Sequence, residues 1–302
     1  MSHPLAHPLA VARTALRWLL LAAAVGVLAG GSCAVFLSAL DWATEWREQH
    51  PWIIALLPLA GLVIGLSYHW FGGSVEAGSE LVLAEIHQPR HRLPLRMAPM
   101  ILISTVATHL FGGSAGREGT ALQMGASLAD QLSRPLRLDQ RARRILLMAG
   151  VSSGFGAVFG TPIAGAIFAL EVLALGAMRR DALLPCLIAA VIGDRVAIAF
   201  GVRHTEYVPG AVPALTLLGI LAAVGAGAVF GLAALAFAAL TRAIRAFAQR
   251  TIAWMPGRLV VGGILVALAV LALGTTRHIG LGIPTIVESF AHASPPSDAL
   301  LK

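Results

Sequence analysis

Long runs of apolar residues restrict how this chain can fold. The seven runs lie at residues 15–40, 52–71, 97–111, 145–178, 182–201, 213–241 and 258–275. Several reach the roughly 20 residues that a helix needs to cross a bilayer. Only 12% of the 302 residues are charged, about half the share of roughly 25% in soluble domains. In lipid every backbone polar group must be bonded internally, and the abundant Ala, Gly and Leu favour helices over a barrel. The sequence therefore predicts an all-α polytopic membrane protein.

The basic residues are grouped in short stretches that alternate with stretches poor in arginine. The groups are Arg90, Arg92 and Arg96; Arg134, Arg137, Arg141, Arg143 and Arg144; Arg179 and Arg180; and Arg242, Arg245, Arg250 and Arg258. Such alternation follows the enrichment of Lys and Arg in cytoplasmic loops. The net charge of +7 therefore does not indicate a nucleic-acid partner. The alternation predicts a multi-pass membrane protein with residues 1–14 as a cytoplasmic N-terminal tail. The arginine-rich, lysine-poor composition indicates the inner membrane of a bacterial cell.

No pattern in the sequence suggests an enzyme, a metal site or a cofactor. Cys33 and Cys186 both lie in apolar runs and lack the spacing of a disulfide framework or a zinc site. The ten histidines are scattered, and the sequence has no phosphate loop, nucleophile elbow or zinc helix.

A break at residues 71–74 precedes a polar segment in which a short helix is predicted to start at Ser79. Glu80 and Glu85 would lie in or near this helix, either on an ion pathway or as the solvated side of a helix that Ser79 caps. The amides of Gly78 and Ser79 are better candidates for a functional role, because helix N-termini attract anions.

A second segment, Gly113-Ser-Ala-Gly-Arg-Glu-Gly-Thr120, lies between two apolar stretches. Close helix packing explains its glycines but not the charged Arg117 and Glu118. Adjacent helical positions point about 100° apart, so these two side chains make a poor direct ion pair. A carboxylate at membrane depth is a functional-site hypothesis by default, and at a helix N-terminus it can compete with a free anion for the same donors. Glu118 therefore points to anion transport.

A third segment contains the step Gly160-Thr-Pro162 inside an apolar run. Proline suits the first turn of a helix and not its interior, so a helix break is predicted here. Broken helices recur at transporter sites, and a kinked packing helix is the alternative. Thr161 at the break and Glu171, about two and a half turns further on, are candidates for a pathway or structural role.

Asp194 and Arg195 lie in an otherwise apolar segment, residues 186–200. Because they are adjacent, they are predicted not to pair with each other. A structural ion pair with another helix is favoured over a role in transport.

At these three segments the chain resembles the CLC family of anion channels and proton-coupled anion antiporters. Residues 116–119 match the family's gating-glutamate signature, Gly-Arg-Glu-Gly, and residues 156–171 match its pattern Gly-x-x-Phe-x-x-Pro-x-x-Gly-x-x-Phe-x-x-Glu. The resemblance implies a CLC-type inverted-repeat bundle of broken and tilted helices, and a homodimer in a lipid bilayer with one pore per subunit. It also implies that Glu118 is an external gate, which swings out when protonated and carries the proton.

Details of the sequence are similar to the fluoride-specific branch of the family. Thr120 follows the signature where chloride-type members usually have Pro, and Val172 stands where chloride antiporters have a second glutamate. Residues 77–81 match the fluoride branch's Gly-Asn-Asn-Leu pattern only in part, whereas residues 280–286 also look like that branch. Fluoride is small and strongly hydrated, so its site must replace water with close donors. The resemblance implies anion-binding residues Gly78, Ser79, Gly116, Arg117, Gly119 and Thr120.

We therefore expect a fluoride/proton antiporter without a cofactor or metal. A chloride-selective channel or antiporter with the same fold is one alternative, and a transport-incompetent truncated membrane subunit is another.

The resemblance divides the chain into a first transmembrane repeat, 15–201, which carries the motifs, and the start of a second repeat, 202–302. Family members continue into a second half with another Gly-rich pore motif. The second repeat is therefore expected to be incomplete and the chain truncated, so that a site built from it alone lacks one wall.

Overall fold

The computed structural model describes residues 6–171, 180–207, 214–291 and 296–301, and within these ranges its regular structure is helical. The α-helices are α1 (Ala6–Gln49), α2 (Leu57–Phe71), α3 (Ser79–His87), α4 (Met97–Leu110), α5 (Glu118–Gln131), α6 (Gln140–Phe159), α7 (Pro162–Glu171), α8 (Arg180–Ala199), α9 (Leu217–Thr251), α10 (Met255–Leu273), α11 (Ile283–Ala291) and α12 (Pro296–Leu301). Short 3-10 helices cover Pro51–Leu56 and Gly73–Ala77. The predicted all-α class is confirmed.

Six helical segments among the described residues are long and apolar enough to cross a membrane. They are Ala12–Gln49, Pro51–Phe71, Gln140–Phe159, Arg180–Ala199, Leu217–Thr251 and Met255–Leu273. Two shorter apolar helices, Met97–Leu110 and Pro162–Glu171, lie between them in the chain. This pattern agrees with the predicted polytopic membrane protein.

The helix break predicted at Gly160-Thr-Pro162 is present. The helix α6 ends at Phe159, and Gly160 closes it in the left-handed conformation with φ 67° and a hydrogen bond from its N–H to the carbonyl oxygen of Gly156. Pro162 then starts α7, as expected from its fixed φ and missing donor. The region 97–133 likewise contains two helices, α4 and α5, which are joined by the segment 111–117.

The chain divides into two compact units. The first comprises Met1–Ile54 and Trp70–Thr205, and the second comprises Ala55–His69 and Glu206–Lys302. These units do not test the proposed repeats, so the division at residue 201 stays a prediction.

Small residues let the helices of the first unit approach closely. The helices α1, α6 and α8 pack against one another, and α5 packs on α6. A Cβ atom on Gly150 would overlap the carbonyl oxygen of Gly125, and a Cβ on Gly125 would overlap that of Gly150. Gly30 and Gly193 form a similar contact between α1 and α8. Contacts between small residues are the usual means by which membrane helices pack.

In the second unit, α2 packs on α10. A Cβ on Gly61 would meet the backbone of Leu259, and one on Gly65 would meet Pro256. The helix α9 has no buried residue, and its most apolar window has a mean hydropathy of 2.3. Its surface therefore suits contact with lipid.

The prediction that Asp194 and Arg195 do not pair with each other is wrong. Arg195 donates from Nε and Nη2 to Asp194 Oδ2, at 3.0 and 2.6 Å. The long arginine side chain folds back, so the angle between adjacent positions does not prevent the contact. Asp194 is 1% exposed, and its Oδ1 lies 3.5 Å from Nε2 of His204, which is outside the helix.

Candidate functional site

The N-terminus of α3 lies against the first turns of α5. Gln123 on α5 donates from Nε2 to Ser79 Oγ at 3.3 Å. A Cβ atom on Gly119 would lie 3.6 Å from Ser79 Oγ, and one on Gly78 would lie 3.5 Å from Gln123 Nε2. The structure thus brings together Gly78, Ser79 and Gly119, and it adds Gln123, which was not among the predicted site residues.

Two helix N-termini without side-chain caps converge here. Gly78 occupies the cap position of α3 with φ 57° and ψ −128°, and Arg117 that of α5, and neither helix has a side-chain capping hydrogen bond. Ser79 is therefore the first helical residue and not the cap. The first N–H groups of a helix lack intrahelical partners and carry partial positive charge, so this junction can bind an anion.

Glu118 is the first residue of α5, and its side chain is exposed. A Cβ atom on Gly116 would overlap Glu118 Oε2, so the carboxylate folds back over that glycine. No residue in the described ranges forms a hydrogen bond or ion pair with Glu118. Among the described residues, nothing therefore fixes the rotamer of this side chain.

Arg117 does not pair with Glu118 but packs on an aromatic ring. Its guanidinium carbon lies 4.9 Å from the centroid of Phe159, within the range of a cation–π contact. Phe159 also packs on Phe155, with ring centroids 4.5 Å apart. This contact joins the start of α5 to the α6–α7 break, where Thr161 is exposed.

A buried histidine holds the segment before Glu118 in place. His109 is 0% exposed, and its Nε2 donates to the carbonyl oxygen of Ala115 at 2.8 Å. The N–H of Gly113 donates to the carbonyl oxygen of Thr108 at 2.8 Å. Arg47 on α1 reaches the carbonyl oxygen of His109 at 3.2 Å. Sequence reasoning missed His109, although a histidine inside the apolar run before the motif was a visible signal.

The hydroxyl of Thr120 already has a partner in the core. Thr120 is 2% exposed, and its Oγ1 lies 2.8 Å from Thr105 Oγ1 on α4 in a buried hydrogen bond. The backbone N–H of Thr120, in the first turn of α5, is therefore its better candidate for contact with an anion.

Two other candidates are exposed at different places. Glu80 is in the first turn of α3 beside Ser79, whereas Glu171 is the last residue of α7. Glu171 is nine positions after Pro162, about 14 Å along a helix, so Glu171 is distant from the break. In the part of the chain that the structure describes, no cluster of three His, Cys, Asp or Glu side chains could hold a metal.

One face of α5 forms hydrogen bonds with α3 and with the segment between α3 and α4. Besides the Gln123–Ser79 bond, Ser127 donates to the carbonyl oxygen of Pro94 at 2.9 Å, and the N–H of Leu93 donates to Asp130 Oδ2 at 2.8 Å. Residues 123, 127 and 130 follow the i, i+4, i+7 spacing of one helix face. This polar stripe was visible in the sequence, but its partners were not.

The grouping of Arg143 with loop arginines is wrong. Arg143 lies in the first turns of α6 and is 8% exposed. It donates to Asp130 from Nε and Nη2 and to Glu85 Oε2 from Nη1 at 3.0 Å. Glu85 is 4% exposed and also accepts the backbone N–H groups of Arg90 and His91. Glu85 is therefore a buried structural carboxylate, not the solvated acid that the sequence allowed.

Comparisons with known proteins place the chain in a family. The sequence profile of the family described as "Voltage gated chloride channel" matches residues 60–301. A chloride/fluoride channel protein of Pseudomonas syringae pv. tomato is 54% identical over 292 residues, which are 95% of this chain and 65% of the relative. The H(+)/Cl(-) exchange transporter ClcA of Cronobacter sakazakii is 32% identical over 179 residues, covering 53% of this chain and 37% of the relative.

Solved structures show the same fold. A crystal structure of a CLC-type fluoride/proton antiporter has a TM-score of 0.91 and 32% identity, and covers 95% of this chain and 73% of that one. A slow cyanobacterial Cl-/H+ antiporter has a TM-score of 0.80 at 20% identity, covering 94% and 70%, which is a likeness of fold.

The chain spans less than two thirds of the length of these two curated relatives. The profile nevertheless matches most of the chain, and the matched residues contain the junction of α3 and α5 with Glu118. The chain therefore belongs to the voltage-gated chloride channel family and has its CLC-type helical membrane fold.

Proposed function

We propose that this chain forms the anion pathway of a fluoride/proton antiporter that exports fluoride, with Glu118 as its gate. The observation that carries the proposal is the exposed Glu118 at the convergence of two uncapped helix N-termini. Support also comes from relatives whose names include a chloride/fluoride channel protein and a CLC-type fluoride/proton antiporter.

In this mechanism an anion and the Glu118 carboxylate compete for the same donors. The donors are backbone amides at the starts of α3 and α5, from Ser79, Gly119 and Thr120. The predicted donor Gly78 is not among them, because its N–H already donates to the carbonyl oxygen of Val75 at 2.9 Å. Protonation removes the charge of Glu118, which weakens its attraction to the helix N-termini and lets an anion take its place. The nearby Arg117 adds positive charge, which favours entry of an anion.

The proposed preference for fluoride follows from hydration. A small, strongly hydrated anion needs several short hydrogen bonds to replace its water. Ser79 Oγ and Gln123 Nε2 lie 3.3 Å apart beside the backbone donors, so side-chain and backbone groups can bind one small ion together.

Chloride is the second candidate substrate. Two observations favour chloride. A proton/chloride exchange transporter is 32% identical to this chain over 179 residues. In addition, Ser79 stands where the fluoride branch has asparagine. The two substrates predict different ion fluxes in one assay.

The deciding experiment uses liposomes reconstituted with the protein and loaded with fluoride or chloride. Ion-selective electrodes follow anion efflux, and a dye inside the liposomes follows pH. We expect fluoride efflux well above chloride efflux, accompanied by proton uptake. Glu118→Gln is expected to abolish proton coupling, whereas Glu206→Gln, an exposed acid in another segment, should leave it intact. Coupled transport that is unchanged in Glu118→Gln would remove this residue from the mechanism.

The assembly and orientation belong to the same proposal. We infer a homodimer with one pathway per chain, in a bacterial inner membrane with the N-terminus in the cytoplasm. Arginines at the starts of α6 and α8 support this orientation. A cysteine introduced at Arg134 should react with an impermeant thiol reagent only from the cytoplasmic side, against a low background because Cys33 and Cys186 are buried. Native mass spectrometry should give twice the 31.4 kDa mass of the chain.

A further inference from the structure

A pocket lies among α1, α6 and α8 in the first unit, apart from the anion pathway. Its volume is about 290 Å³. The residues that line it include Arg17, Trp18, Asp139, Arg141 and Asp181. The contact of Arg117 with Phe159 lies at the opposite end of α6, and a helix of 20 residues is about 30 Å long. The pocket is therefore a separate site.

Two arginines and two aspartates line the pocket, so its formal charges cancel and its preference depends on which of them already have partners. Asp139 Oδ1 accepts the N–H of Ala142 at 2.9 Å as the cap of α6, and Asp181 Oδ2 accepts Nε and Nη2 of Arg141. Both carboxylates thus have donors, while the Arg141 side chain remains 71% exposed. Arg17 is exposed and forms no ion pair with any described residue. The N-termini of α6 and α8 add partial positive charge.

Apolar surface continues from the pocket into the span. Leu20 follows Arg17 by three residues on α1 and is 59% exposed, and Leu184 follows Asp181 by three residues on α8 and is 61% exposed. Residues three apart lie on the same helix face. Trp18, which lines the pocket, is the residue type enriched at membrane–water interfaces. Along α1, the charged Arg17 is therefore followed by the aromatic Trp18 and then by the exposed Leu20, towards the middle of the span.

We propose that this pocket binds the phosphodiester headgroup of a membrane phospholipid. Arg17 and Arg141 bind the phosphate, and an acyl chain lies along Leu20 and Leu184. Arginines in pockets between membrane helices are suited to lipid headgroups. The adjoining leucines favour an intact lipid, because a soluble phosphate would leave them uncovered.

Native mass spectrometry of the full chain in detergent tests this proposal. The protein is titrated separately with dioleoyl phosphatidylglycerol, with dioleoylglycerol, which lacks the phosphate, and with glycerol phosphate, which lacks the acyl chains. We expect one tightly bound phosphatidylglycerol per chain and much weaker binding of the other two. Arg17→Gln should weaken lipid binding about fivefold, and Arg17→Gln with Arg141→Gln about thirtyfold.

The matched control is Arg134→Gln, which removes an exposed arginine that does not line the pocket and should bind lipid like the unmodified chain. Equal lipid binding by the double variant would overturn the proposal. Glycerol phosphate that binds as tightly as the lipid would also overturn it, because the pocket would then be a site for soluble phosphate. These readouts do not depend on transport, so failure of the proposed antiport would leave them unaffected.

Discussion

Arg143 and Asp130 form a two-point ion pair in the interior of the first unit, with Nε–Oδ1 and Nη2–Oδ2 distances of 2.7 Å each. The Asp130 side chain is 0% exposed. Arg143 also donates to the carbonyl oxygen of His91 at 2.6 Å and to Glu85 at 3.0 Å. One guanidinium thus joins α6 to α5, to the end of α3 and to the segment between α3 and α4.

Arg143→Met should destabilise the protein strongly, because Asp130 and Glu85 would then be buried without a cationic partner. Removing one partner of a buried ion pair typically costs about 3–5 kcal/mol. Thermal unfolding in detergent can be followed with a thiol-reactive fluorescent dye, since Cys33 and Cys186 are free and buried. Arg134→Gln, at an exposed position, is the control. Equal melting temperatures for the two variants would show that the ion pair does not stabilise the fold.

Gly150→Ala should destabilise the contact between α5 and α6, because the added Cβ would overlap the carbonyl oxygen of Gly125. Overpacking of this kind costs about 1–3 kcal/mol. Gly227→Ala in α9 is the matched control, since nothing lies within 4 Å of its added Cβ and alanine favours a helix by up to about 1 kcal/mol. The same dye assay should give shifts of opposite sign. A neutral Gly150→Ala would mean that the helices can separate without cost.

The local structure could be predicted from the sequence where one residue type has one strong preference. Pro162 after Gly160 predicted the helix break, and the polar segment before residue 79 predicted the start of α3. Proline, glycine and the length of an apolar run affect the backbone only within a few residues. The position of Glu118 at the start of α5 followed in the same way. Each of these features depends on neighbours in the chain alone.

The pairing of charged side chains could not be predicted, because it depends on packing between distant segments. The partners Arg143 and Glu85 are 58 residues apart in the chain, and no local pattern links them. The pair Asp194–Arg195 was predicted wrongly because the flexible arginine side chain was treated as a fixed direction. The contact of Arg117 with Phe159 likewise required the helices to be in place.

Thr120→Val and Thr105→Val should each destabilise the protein by about 1–3 kcal/mol, since each leaves a buried hydroxyl without its partner. The double variant should recover part of this loss, because no hydroxyl then remains unpaired. If Thr120 contacts the anion through its backbone N–H, both single variants should keep a fluoride efflux per folded protein close to that of the unmodified chain. A loss of efflux in Thr120→Val but not in Thr105→Val would instead make the Thr120 hydroxyl a direct ligand.

Gln123→Leu should slow fluoride efflux, because it removes the donor that holds Ser79 Oγ at the junction of the two helix N-termini. One hydrogen bond of this kind is worth about 1 kcal/mol, which corresponds to about a fivefold loss of rate. Gln131→Leu is the matched control on the same helix, because Gln131 donates to the carbonyl oxygens of Leu93 and Ser127 and not to the site. Efflux is measured with a fluoride electrode and divided by the amount of folded protein in the liposomes. The control should lose stability but keep its efflux, whereas equal losses of efflux in both variants would mean that Gln123 acts only through the packing of α5.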